Sequence, residues 1–266
     1  YLVSSVAEVS LGNLWLATDA GSSFYDGAHF TNLSTQDGLC NDLVSILFFD
    51  SKGMLWIGTW GGICRYDGKT FSTFSLPTPT VETPINPDTK DWITAISEDA
   101  EGNLWFARGG YGAIKYDGTH FTHILKTDGL LSNSITDIAV GADQSIWLGS
   151  RVVERDHADP DKRVGKGGLN RYSSAGMETF PGIAGFNQGD VYEIYVEPRG
   201  TTWICTTKHG VYEYDGRDFT NHAVPISIMS MHRDHQGYLW LAGAGGLYNM
   251  SPTGLISNVT RSGPWP

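Results

Sequence analysis

The sequence predicts an all-β chain, a six-bladed β-propeller with four antiparallel strands per blade. Three observations carry that prediction. First, one tryptophan-bearing phrase recurs: "GNLWLAT" at 12–18, "GMLWIGT" at 53–59, "GNLWFAR" at 102–108, "QSIWLGS" at 144–150, "GTTWICT" at 200–206 and "GYLWLAG" at 237–243. Six of the nine tryptophans (Trp15, Trp56, Trp105, Trp147, Trp203, Trp240) thus hold one repeat position, separated by 41, 49, 42, 56 and 37 residues. Second, a Tyr-Asp-Gly turn follows at 24–27, 65–68, 115–118 and 213–216, and an Asp-Gly pair between two apolar runs marks a hairpin. Third, 33 glycines, 12% aromatic and 40% hydrophobic residues suit many short strands that share a substantial core.

Each unit reads in the same order. Strand one is an apolar run such as "LVSILFFD" (43–50) or "WITAISED" (92–99). A polar turn ending in glycine leads to strand two with its tryptophan. A glycine-rich turn leads to strand three, which ends at Tyr-Asp-Gly. Strand four closes on an aromatic: Phe30, Phe71, Phe121, Phe180 or Phe219. The blades fall at about 2–33, 43–75, 92–124, 135–180, 190–222 and 225–259, in a single propeller domain over 1–266. The sixth departs from the pattern, ending "LYNMSPTGLISNV" without Tyr-Asp-Gly. First and last units both read as complete, so no exchange of a terminal strand is expected. One blade cannot bury its faces alone, so the repeated Trp and the closing Phe are expected between neighbouring blades.

The net charge is −11, from 18 basic and 29 acidic residues. Nucleic-acid affinity rests on basic contacts to phosphate, so that partner is disfavoured, as are anionic membranes. No apolar run approaches the ~20 residues of a membrane helix, so membrane insertion is not expected. The three cysteines (Cys40, Cys64, Cys205) are too few for a disulfide framework, and Cys64 and Cys205, inside strand patterns, are expected to be buried free thiols. The chain starts at Tyr1 rather than Met, which fits a removed signal peptide or a piece of a longer protein.

At "V-x-x-I-x-x-D…GnLW-x-G-T…GG-x-x-x-YDG-x-x-F" the chain resembles the two-component regulator propeller repeat family. Blade two, "LVSILFFDSKGMLWIGTWGGICRYDGKTF" (43–71), carries the pattern almost throughout, and "TQDGLCND" (35–42) and "KTDGLLSNS" (126–134) resemble its linkers. The resemblance covers essentially the whole chain. It implies a periplasmic or extracellular sensor region, flanked by signalling domains in a hybrid histidine kinase and often responsive to glycans. This chain departs from the family in having six units and no kinase or adjoining immunoglobulin-like domain.

Propellers place ligands at a channel mouth, where strand one begins and the turns between strands two and three end. The strand-one entrances carry Asn41, Asp42, Asp91, Asn133 and Asp190. Their oxygens are of the type that Ca²⁺ takes, and they are also the side chains that cap turns. Six-bladed calcium-dependent lactonases and phosphotriester hydrolases are similar in using such residues at a channel mouth. The turns carry Asp19, Trp60, Arg108, Tyr111, Arg151, Lys208 and His209. Trp60, with Trp92 at a strand entrance, lies outside the repeat's tryptophan position and suits stacking on a sugar or aromatic ligand. Arg108, Arg151 and Lys208 suit a carboxylate or phosphate. His209 is the candidate general base, placed like the histidine of antibiotic-linearising propeller lyases. His120 and His123 fall on an outermost strand, where exposure is expected. The charged insertion 150–168 would overhang the mouth, with Asp156, His157, Asp159 and Asp161 as further metal candidates.

Three functions follow. The first is a module binding a small molecule or oligosaccharide through Trp60, Trp92, Arg108, Tyr111, Arg151 and Lys208. The second is a calcium-dependent hydrolase, or a lyase, using the oxygen set and His209. The third is a protein-interaction scaffold.

Overall fold

The computed structural model describes residues 2–10, 12–81, 89–151, 167–183, 186 and 190–260. These form six four-stranded antiparallel sheets, each a simple meander in chain order, giving a six-bladed β-propeller. The first three blades comprise β1 (Val3–Ser10), β2 (Asn13–Thr18), β3 (Gly21–Tyr25) and β4 (Phe30–Leu33); then β5 (Val44–Phe49), β6 (Leu55–Thr59), β7 (Gly62–Tyr66) and β8 (Phe71–Phe74); then β9 (Ile93–Glu98), β10 (Leu104–Arg108), β11 (Ala113–Tyr116) and β12 (Phe121–Ile124). The last three comprise β13 (Ile135–Val140), β14 (Ile146–Ser150), β15 (Gly168–Ser173) and β16 (Gly176–Thr179); then β17 (Val191–Val196), β18 (Thr202–Thr206), β19 (Val211–Tyr214) and β20 (Phe219–His222); then β21 (Ser227–Arg233), β22 (Leu239–Ala244), β23 (Gly246–Met250) and β24 (Ile256–Asn258). The chain divides into two compact units, Tyr1–Ile135 and Thr136–Pro266.

Four of the repeat tryptophans pack against the next blade, as the pattern leads one to expect. In the first unit Trp15 meets Leu47 and Leu55 of the next blade, and Trp56 meets Ile93 and Phe106. In the second, Trp147 meets Val191 and Ile204, and Trp203 meets Met231 and Leu241. β6, β10, β14 and β18 are buried at every residue and show no polar alternation. An acidic residue six positions upstream accepts the indole N–H: Asp50 from Trp56 (2.8 Å), Asp99 from Trp105 (2.9 Å), Glu197 from Trp203 (2.7 Å) and Asp234 from Trp240 (2.7 Å). Cations cover the rings, Arg65 over Trp56, Lys115 over Trp105, Arg171 over Trp147 and Arg233 over Trp203. The closing Phe71, Phe180 and Phe219 join these clusters, whereas Phe30 is 63% exposed.

The Tyr-Asp-Gly turns close by side-chain chemistry. Asp26 accepts the N–H groups of Ala28 and His29, and Asp67, Asp117 and Asp215 do the same in their turns. Those N–H groups hold all four carboxyls below the usual range.

The inner strands are joined by a device that the repeat pattern did not announce. Bulges near the start of β1, β5, β17 and β21 shift the register by one residue. The hydroxyl at the second repeat position then donates to the first-position carbonyl of the next inner strand. Ser4 reaches Val44 (2.8 Å), Ser45 reaches Ile93 (2.5 Å), Thr94 reaches Ile135 (2.7 Å) and Thr136 reaches Val191. At the third position Ser5, Asp137 and Glu193 accept a backbone N–H from the next strand, those of Leu47, Ile194 and Met231.

The expectation for Cys64 is overturned. Cys64 is not a free thiol: it forms a disulfide with Cys40, with Cα atoms 5.8 Å apart. Cys40 ends the linker before blade two and Cys64 sits in β7, and the fold brings them together across 24 residues. Spacing could not reveal that pairing, because it depends on how the linker folds back over the blade. Cys205 is free and buried, as expected.

Candidate functional site

The turns between strands two and three are built by one residue. Thr59, fully buried at the end of β6, donates to the Gly62 carbonyl (2.8 Å) and accepts the Gly61 N–H (3.0 Å). Its hydroxyl closes the turn and leaves Trp60 at the tip, 39% exposed. At Gly61 a Cβ would meet the Asn41 amide at 2.9 Å, so a larger residue there would push the Asn41 side chain aside. Thr18 makes the same turn and presents Asp19. Thr206 makes a longer version that presents Lys208 and His209.

At the tips the turns meet the residues that enter strand one. The Trp60 N–H donates to Leu43 (3.0 Å), and Asp19 and Leu2 exchange two bonds. Leu2, Leu43 and Trp92 are the same repeat position in three successive blades. Trp60 and Trp92 stack with centroids 5.0 Å apart and planes 23° from parallel. Together with Leu2, Leu43 and Asp19 they line a cavity of about 460 Å³ within the first unit. Its floor is Val44 and the hydroxyl residues Ser4, Ser45 and Thr94.

The other residues predicted for ligand binding are placed differently. Arg108 is 9% exposed, with Nε on the Lys90 carbonyl (3.0 Å), Nη1 on Thr78 (3.0 Å) and Nη2 on Asp91. Its guanidinium lies 4.5 Å over the Tyr111 ring. The group is a strut that fixes Asp91 and so the entrance carrying Trp92. Arg151 is half-buried at the end of β14, and Lys208 is exposed beside His209 in the second unit. Among the described residues His209 engages only through its backbone, to Thr206 and Asn221.

The five candidate metal ligands lie at four strand entrances, Asn41 and Asp42 side by side in one linker. Asp42 accepts the Thr35 N–H (2.7 Å) and hydroxyl, and Asn133 accepts the Lys126 N–H (2.8 Å) across the same seven-residue span. Asn41 accepts the Leu43 N–H (2.8 Å). Asp91 pairs with Arg108, and Asp190 is 3% exposed with its carbonyl on the Thr207 N–H. Among the described residues no three His, Cys, Asp or Glu side chains converge as a metal site. Asp156, His157, Asp159 and Asp161 lie outside the described residues.

Sequence reasoning named Trp60, Trp92 and Asp19 but missed Leu2, Leu43 and the hydroxyl floor. The missed signal is columnar: Ser4, Ser45, Thr94 and Thr136 fill one repeat position, and apolar residues precede strand one in the first three blades.

The model of the two-component regulator propeller matches residues 38–61, from the linker glycine to the turn that carries Trp60. The chain carries that repeat. Among solved structures, the propeller is similar to the extracellular domain of a protein described as a hybrid two-component system from B. thetaiotaomicron. The TM-score is 0.75 at 21% identity, over 99% of this chain and 35% of that one. The chain thus spans about a third of that domain. It is also similar to virginiamycin B lyase from Staphylococcus aureus (TM-score 0.70, 16% identity, 96% of this chain and 83% of that one). A protein described as a gluconolactonase gives a TM-score of 0.53 at 11% identity, over 80% of this chain and 76% of that one. At these identities the likeness is one of fold, and that fold hosts sensors and enzymes alike. No curated sequence matches the chain. No helix among the described residues is long and apolar enough to cross a membrane.

Proposed function

We propose that this propeller is a sensor-type binding module that recognises a small molecule, of which an oligosaccharide is the class implied by the repeat family. The site is the cleft under Trp60 and Trp92. The observation that carries this reading is the stacked indole pair over a cavity of about 460 Å³, with one of the two indoles 39% exposed. Preformed, mostly apolar concavities with few polar groups are where small ligands bind. Aromatic faces held at that surface have a large area to offer at low entropic cost. A periplasmic or extracellular setting is supported by the Cys40–Cys64 disulfide, which persists in oxidising compartments, and by the similar extracellular domain.

The test is a melting screen of the purified chain against small-molecule and oligosaccharide libraries, repeated on Trp60→Ala. Ligands that raise Tm for the parent and not for the variant support the reading. Ligands that shift both equally place binding elsewhere and contradict it. Turnover of a lactone or phosphotriester, lost in His209→Ala with the fold retained, would favour the enzyme instead.

A further inference from the structure

The same cleft, if it is the binding site, has a donor and acceptor balance that selects its ligand. We infer that it takes an apolar organic cation, an aryl or alkyl body bearing an ammonium group, in preference to a sugar or an anion.

The polar floor consists of Ser4, Ser45 and Thr94, and each hydroxyl has one proton. All three protons are spent on carbonyls of the neighbouring inner strand, at 2.8, 2.5 and 2.7 Å. The rim N–H groups are spent too: that of Leu2 on Asp19, that of Leu43 on Asn41, and that of Trp60 on the Leu43 carbonyl. Apart from the two indole N–H groups, the hydroxyl and rim donors named above are engaged among the described residues, and the cleft offers hydroxyl lone pairs and the Asp19 carboxylate as acceptors. A sugar needs donors as well as acceptors, and a carboxylate or phosphate ligand needs donors alone. An ammonium is the complement, with three donors and no acceptor.

The apolar wall argues the same way. Leu2, Leu43, Trp60 and Trp92 have no charge to offer an anion, whereas indole faces attract cations more strongly than the other aromatic rings. Among the described residues Asp19 is the one charged side chain that lines the cleft, with no Lys or Arg beside it. The net charge of −11 adds a long-range field of the same sign.

The experiment is calorimetric titration at pH 7 with 2-phenylethylamine, 2-phenylethanol, 3-phenylpropionate and cellobiose, on the parent, Asp19→Asn and Trp60→Ala. An exposed ion pair and a cation–π contact together are each modest, and predict about a tenfold preference for the amine over the alcohol. The carboxylate and cellobiose should bind more weakly still. Asp19→Asn keeps an oxygen for the Leu2 N–H, so it should fold and lose most of the amine preference. Trp60→Ala should lose binding of the whole aryl series. If 3-phenylpropionate or cellobiose binds as tightly as the amine, and Trp60→Ala removes it, the cation inference is overturned while the binding site stands. If no probe binds in a way that Trp60 controls, both are overturned.

Discussion

Trp105 and Trp60 are the same residue type in opposite situations. Trp105 is 2% exposed, bonded to Asp99 and covered by Lys115. Burial alone would raise the Asp99 carboxyl, but the Trp105 and Asn103 bonds outweigh it and hold the group below its usual range. Trp105→Ala removes a large core side chain and one hydrogen bond to Asp99, so it should cost about 3–5 kcal/mol. Trp60→Ala removes a half-exposed ring whose chief neighbour is Trp92, and should cost about 1 kcal/mol. Urea unfolding of the two variants measures the difference, and equal losses would contradict the division into structural and binding tryptophans. That division was legible in the sequence, because Trp60 and Trp92 fall outside the repeat column. The engagement of Arg108 was not. A cation on a turn reads as available, and only the fold shows Lys90, Thr78 and Asp91 around it.

Two features belong to the elements. The first is the pair of carboxylates on β13 and β17. Both are half-buried by accessible area yet enclosed by the inner strands, and burial pushes Asp137 up to about 6 and Glu193 up to about 7, the Asp137 charge adding to the latter. Folded-state values above the unfolded ones mean that the folded chain holds these protons more tightly. The stabilisation is full below about pH 4 and is lost as the pH rises through 6 and 7. His123 opposes this trend. Burial, then the Arg108 charge, lowers its value, so its contribution falls away in acid. It is half-buried on β12 rather than exposed as its outer-strand position suggested. Melting at pH 8 and pH 5 should therefore rise more in acid for the parent than for Asp137→Asn/Glu193→Gln, in which His123 is unchanged. Identical slopes would show that the pair does not titrate in this window. The second feature is the disulfide. A bridge over 24 residues restricts the unfolded chain, so Cys40→Ala/Cys64→Ala should lose about 3 kcal/mol in denaturant unfolding. Strand order and turn positions could be read from the sequence, since tryptophan and Tyr-Asp-Gly recur in each local segment. The latches could not, because Ser4 with Val44 or Glu193 with Met231 joins residues about 40 apart.

At the scale of the whole molecule, the repeat builds six four-stranded blades, and the candidate site residues lie at the strand-one entrances and the turns beside them. Asp42, Asn133 and Asn41 show what such oxygens do in the fold. A column of carboxylate and amide oxygens suits a cation, and in this structure Asp42, Asn133 and Asn41 accept backbone N–H groups of their own linker turns. Adding millimolar calcium or EDTA should accordingly shift Tm by less than about 1 °C, and a large reversible shift would restore the oxygen set as a metal site. The alternative uses of the fold, as lyase or lactonase, rest on fold likeness, and fold does not determine chemistry.

The most direct measurement is a ¹⁵N–¹H spectrum of the tryptophan indoles, with Trp60 and Trp92 assigned from Trp60→Phe and Trp92→Phe, during titration with 2-phenylethylamine. If the cleft is the binding site, those two signals move together and saturate while the signals of Trp56, Trp105 and Trp147 stay in place. Saturable shifts confined to other tryptophans, with Trp60 and Trp92 unmoved, would show that the ligand binds elsewhere and that the stacked pair is not the site.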